Sequence, residues 1–149
     1  MASKLGSLAT SKVVQKITGG NDAAAESEVR LQNVAADLAE RGATVRYPLL
    51  MVYCEKIVNS QAEKFRTFSG TLQMAIEIRQ SSDRLESLQE NLEALSDTVT
   101  QTLTASRGDW GDGMFYSGAY QVAFGAVKHG GRNYLQVAKV TFEIGASIN

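Results

Sequence analysis

Asp109, Asp112 and His129 are the residues of this 149-residue chain whose types suit chemistry at a metal, and Cys54 is its one thiol. Two aspartates in a glycine-rich loop offer oxygen ligands to a hard cation. The alternating ligands and closing glutamate of an EF-hand are missing, so Asx-type turns are the simpler use of both. His129 is the only histidine, which excludes a two-histidine metal site, and beside Gly130-Gly131 it reads as a turn residue. Cys54 and His129 would make a nucleophile and base only if the fold brought them together. Gly111, Gly113 and Gly118 precede a strand-like run instead of linking strand to helix, so they form no dinucleotide loop. The residues point away from an enzyme and imply no cofactor and no metal; a small metalloenzyme using Asp109, Asp112 and His129 is the competing expectation.

Charge and composition narrow the partners. Fifteen basic against sixteen acidic residues leave a formal charge of −1, too weak a field to hold nucleic acid non-specifically. The chain has the size of one domain, enough to bury roughly two-thirds of its unfolded surface without metals or disulfides. A single cysteine closes no intrachain bridge and suits a small core residue in a reducing compartment. No apolar run has the length of a signal peptide or a bilayer span, and synthesis in the cytoplasm is expected.

The elements that must position these residues follow from periodicity. Leu5, Leu8, Val13, Val14 and Ile17 allow a short helix that Thr18-Gly19-Gly20-Asn21 breaks, and residues 1–21 read as an N-terminal arm, with one domain over 22–149. Leu31, Val34, Ala35 and Leu38 suit a helix from Asp22 to Arg41, ended by Gly42. Pro48 opens the apolar run Val45 to Val58, so that strand is an edge or pairs only after the proline. Leu72, Met74, Ile76 and Ile78 alternate with Thr71, Gln73, Glu77 and Arg79 in a strand over Lys64 to Arg79. Leu85, Leu88, Leu92, Leu95, Val99 and Leu103 stripe a helix from Asp83 to Ser106, with Asp83 and Glu86 in capping-box register. Tyr120, Val122 and Phe124 then face Ala138, Val140, Phe142 and Ile144 in a hairpin closed near Lys128 to Arg132. The sum is an α+β fold of order α-β-β-α-β-β: a four-stranded, mostly antiparallel sheet with long hairpins and helices packed on one face.

Two features suggest contacts beyond the monomer. A strand from Lys64 to Arg79 would run about 50 Å at roughly 3.3 Å per residue, longer than the roughly 40 Å width of such a domain. The hairpin tips should therefore overhang unless the strands bend or bulge. Lys56, Asn59, Lys64 and Phe65 belong to one tip, and Lys128, His129 and Arg132 to the other. Gly108-Asp109-Trp110-Gly111-Asp112-Gly113 joins glycine turns to stiff aromatics and reads as a docking loop, in which Trp110, Phe115 and Tyr116 either meet a partner or cap the core. Thr67, Thr71, Gln73, Glu77, Lys139, Thr141 and Glu143 would form the polar sheet face.

The run from Tyr47-Pro48 through Phe68-Ser69-Gly70 to Gly108-Asp109-Trp110-Gly111-Asp112-Gly113 and His129-Gly130-Gly131-Arg132-Asn133-Tyr134-Leu135-Gln136, with the order of elements, resembles the tail terminator and neck proteins of tailed bacteriophages. The resemblance covers roughly residues 22 to 148, and the N-terminal arm has no counterpart in it. It implies a homo-oligomeric ring, usually a hexamer, that sits on the tail tube protein, stops tube polymerisation and joins the tail to the head connector. DNA would pass through its channel without specific binding, and the protein would leave the host cytoplasm for the virion. A head-side adaptor or closure protein of the neck, and a non-viral dimeric α+β ligand-binding module, are the alternatives.

Overall fold

Alternation of apolar and polar residues through most of their length gives the molecule two long strands, and everything else is arranged along them. The computed structural model describes residues 2–20, 28–31, 48–130 and 132–149. Its elements are α1 (Ala2–Gly20), β1 (Glu28–Leu31), β2 (Leu49–Asn59), β3 (Phe68–Ser82), α2 (Leu85–Ala105), β4 (Gly108–Gly111), β5 (Met114–Tyr116), β6 (Gln121–Phe124), β7 (Lys128–Gly130) and β8 (Asn133–Ile148). The chain is α+β, with helices and an antiparallel sheet of seven strands, β2 to β8, to which β1 adds in parallel.

β3 and β8 pair without interruption from Phe68 opposite Ile148 to Ser82 opposite Tyr134. β2 flanks β3, while the free edge of β8 is taken in turn by β7, β6 and β5, with β4 beyond β5. Laying three short strands end to end along one long strand satisfies its backbone groups segment by segment.

Because side chains alternate across a strand, the register puts Leu72, Met74, Ile76 and Ile78 on the same face as Leu50, Val52, Val140, Phe142 and Ile144. That face is buried under α2, lying on β3 and β8, and α1, lying on β2 and β1. α2 contributes Leu92, Leu95, Val99 and Leu103, and α1 contributes Leu5, Ala9, Val13 and Ile17.

Several expectations are corrected. The sheet has eight described strands, not four, and two of the additional ones, β4 and β5, lie within the stretch read as a loop. The short helix expected within the arm forms, but its apolar stripe belongs to the one core, because steps of four residues align Leu5, Ala9, Val13 and Ile17 on one side. The helix expected from Asp22 to Arg41 lies outside the described residues apart from Glu28–Leu31, which is strand. Pairing of β2 starts at Leu49, directly after Pro48, and β1 covers the edge there, so the second reading of that proline holds. The capping box does not form: Arg84 is the N-cap with no side-chain cap, and Ser82 Oγ accepts the Arg84 amide. Finally, β3 starts at Phe68 and is largely buried from there to Gln80, so its length is covered by the chain's own helices and neighbouring strands.

Candidate assembly surfaces

The glycine-aspartate-tryptophan loop folds inward. Asp109 Oδ1 accepts the Gly111 amide at 2.8 Å, the expected Asx turn. The chain then reverses through Gly111, Asp112 and Gly113, all at positive φ. At Gly113 a side chain would collide with the Ser147 carbonyl, and that approach lets the Ser147 amide donate to the Gly113 carbonyl at 2.9 Å. Trp110 is only 8% exposed. Its indole N–H donates to the Ser106 carbonyl at 2.6 Å, and its ring packs on Tyr116, which in turn meets Phe142. Two lysines one turn apart on α1 clamp the loop: Lys12 donates to the Trp110 carbonyl at 2.9 Å and pairs with Asp112 at 3.0 Å, while Lys16 sits 4.9 Å from the indole centroid. Trp110 and Tyr116 are thus core residues that lock α1 to α2 and the sheet edge, the core-capping alternative of the two expected for these aromatics. Burial raises the Tyr116 phenol to about 12. Phe115, which points to the other face, is 56% exposed.

Where β2 turns into β3 the tip is pinned. Asn59 Oδ1 accepts the amides of Ser69 and Gln61, Ser69 Oγ accepts the Glu63 amide, and Ser147 Oγ donates to Glu63 at 2.8 Å. Asn59 is therefore a turn-holding residue. The loop it holds carries Lys64 and Arg66 around Phe65, which is 97% exposed at φ +65°. At the other tip Lys128, His129 and Arg132 are exposed, and His129 stacks on Tyr134 with centroids 5.0 Å apart. Lys56 is exposed on β2.

The face away from the helices is polar in part: Thr71, Gln73, Glu77, Lys139, Thr141 and Glu143 share it by register, but Leu49, Met51, Tyr53 and Ala75 lie on the same face and are buried, and Thr67 falls before β3 begins. Glu55, two residues on from Tyr53, lies on that face by alternation, and a β-bulge between Cys54 and Lys56 brings Lys56 opposite Gln73 there as well. Glu55 pairs with Lys139 and accepts from Gln73 at 2.8 Å, while Glu77 accepts from the Tyr53 hydroxyl and from Arg79 at 3.2 Å. Burial, and then the Glu77 hydrogen bond and charge, push the Tyr53 phenol well above its ordinary range. A phenol held protonated is a poor base near neutral pH. This network ties β2, β3 and β8 together and pairs Glu55 with Lys139 and Glu77 with Arg79. The bulge itself was illegible from sequence, since it leaves no mark on a period-two pattern.

The metal and nucleophile readings separate in space. Asp109 lies in the row of Phe115, Gly145 and Thr71, whereas His129 lies in the row of Tyr134 and Ser82. Eleven residues along β3 amount to about 36 Å. Cys54 is in the row of Met74, about 26 Å by the same measure from the histidine's row, and burial raises its thiol, away from a nucleophilic thiolate. Among the described residues no group of three His, Cys, Asp or Glu side chains could hold a metal ion, and no helix is long and apolar enough to cross a membrane.

One surface carried no flag in the sequence reading. Phe124, expected to alternate into the core, is 52% exposed at the edge of β6. With Gln89, Leu92, Glu93 and Gln136 it lines a recess of ≈ 220 Å³ beside α2. The signal was the acidic stripe Glu86, Glu90, Glu93, Asp97 on that helix. The chain matches no protein-family model and no curated protein.

Proposed function

We propose that this chain is a structural subunit of a homo-oligomeric ring at the head-proximal end of a phage tail, where it ends tube polymerisation and joins the tail to the head connector. The observation that carries the reading is the tip of the β2–β3 hairpin, where hydrogen bonds from Asn59, Ser69 and Ser147 fix a loop whose Phe65 ring is 97% exposed. A fixed phenyl ring in water does nothing for a lone chain. Seated on a neighbour it contributes roughly 1.5–3 kcal/mol, and a closed ring repeats that gain at each interface. The polar part of the sheet face suits a channel wall, since the Glu55–Lys139 and Glu77–Arg79 pairs leave little net field to retain duplex DNA. The resemblance to tail terminator and neck proteins supports the tail-end position over other ring-forming roles.

Native mass measurement and negative staining, each with and without purified tail tubes, test it. Rings in solution, or monomers that assemble on tube ends, are expected. A chain that stays monomeric at high concentration and never sediments with tubes overturns the reading.

A further inference from the structure

Phe65 and the recess at Phe124 lie at opposite ends of the sheet. The Phe65 loop precedes Phe68 at the start of β3, and Phe124 pairs with Ala138, which faces Ile78 ten residues further on, a separation of about 33 Å. A protruding ring at one end and a ring-sized recess at the other make a contact that two copies form head to tail and that propagates until it closes. The sizes agree: an apolar cavity of about 150 Å³ holds a benzene, and the recess measures ≈ 220 Å³.

Charge agrees as well. α2 carries Glu86, Glu90, Glu93 and Asp97 at steps of four, three and four residues, one face of the helix, and has no lysine or arginine from Leu85 to Ala105. Glu93 lines the recess itself. The protruding loop has Lys64 and Arg66 on either side of Phe65; Arg66 pairs with Glu63 at 3.1 Å, and Lys64 is exposed beside it.

We infer that Phe65 of one copy packs on the exposed Phe124 ring of the next, within the recess edged by Gln89, Glu93 and Gln136, with Lys64 against the Glu90 and Glu93 carboxylates. This rests on the ring reading and assigns the contact that closes it. The occupant is a second copy of this chain, because the same sequence supplies both the basic aromatic tip and the acidic recess.

A charge-swap cycle tests it on the full chain, with sedimentation velocity reading the oligomer and thermal unfolding reading the fold. Lys64→Glu and Glu93→Lys should each weaken association by about tenfold, and the double variant should recover to within about threefold of the parent, because the swapped charges again oppose each other between copies. Phe65→Ser should abolish the oligomer with an unchanged melting temperature. If all these variants assemble like the parent, the contact lies elsewhere and the inference falls while the ring stands. If Glu93→Lys assembles normally yet no longer retains tail tubes, the recess belongs to a tube subunit, which also overturns it. A final species of two copies means a two-fold contact and rules out head-to-tail closure. A parent chain that never associates, with or without tubes, removes both readings.

Discussion

Lys12 and Lys16 show how two charges one turn apart can turn an apparent docking loop into an internal latch. Lys12 reaches both the Trp110 carbonyl and the Asp112 carboxylate, and Lys16 lies over the indole. Because Trp110 is core, Trp110→Ala should lower the stability of the isolated chain by about 3–5 kcal/mol, the usual loss for a large buried aromatic. Denaturant unfolding of the monomer measures it, and unchanged stability with lost assembly would return the indole to an interface. Tyr116 adds a pH signature. Its folded phenol titrates near 12 against an ordinary 10.0, so the folded state holds its proton where the unfolded state has released it. That stabilisation is complete below pH 10 and is lost as pH rises toward 12, about 2–3 kcal/mol over the interval. Tyr116→Phe should flatten the alkaline limb of the stability curve while forfeiting roughly 1 kcal/mol for its 3.1 Å hydrogen bond to the Ala119 carbonyl. A limb as steep as the parent's would assign the alkaline loss to another group.

Among the elements, α1 separates what patterning reveals from what it hides. Its stripe was legible residue by residue, yet the glycines after Ile17 made it look detachable, and nothing in a single helix says which sheet it will cover. Val13 is fully buried against that sheet. Val13→Asp should therefore collapse near-ultraviolet dichroism and thermal cooperativity across the whole chain by burying an unpaired charge; loss of helix signal alone, with the sheet intact, would restore the arm. β3 and α2 were readable because Leu72 to Ile78 alternate and Leu88 to Leu103 repeat over long stretches. β4 and β5 were not, since strands of four and three residues bounded by glycine carry too few positions to set a period. β8 was legible as a strand from Ala138 to Ile144, but its alternation contains no mark of three different partners along one edge. The candidate site divided the same way: Phe65 was named for its place at a tip, whereas Phe124 looked like core because alternation records direction and not depth.

For the whole molecule, strand length turned out to be a weaker reason for oligomers than the surface it leaves exposed. β3 has its apolar face under α1 and α2, and among the described residues the exposed features include a basic aromatic tip and an acidic recess at opposite ends of the sheet. In such a contact the ring seated in the recess sets how long two copies stay together, and the rim charges set how often they meet in register. Salt separates the two contributions, because the screening length falls from about 10 Å at 0.1 M to about 3 Å at 1 M. Over that range the association rate should drop by roughly tenfold while dissociation of preformed oligomers changes by no more than about twofold, both measured by subunit exchange between differently labelled pools. Phe65→Leu should do the reverse, hastening dissociation and leaving the salt slope of association intact. If salt instead accelerates dissociation, the contact is held by buried ion pairs, and Lys64 with its opposing glutamates, in place of the phenyl ring, anchors one copy to the next.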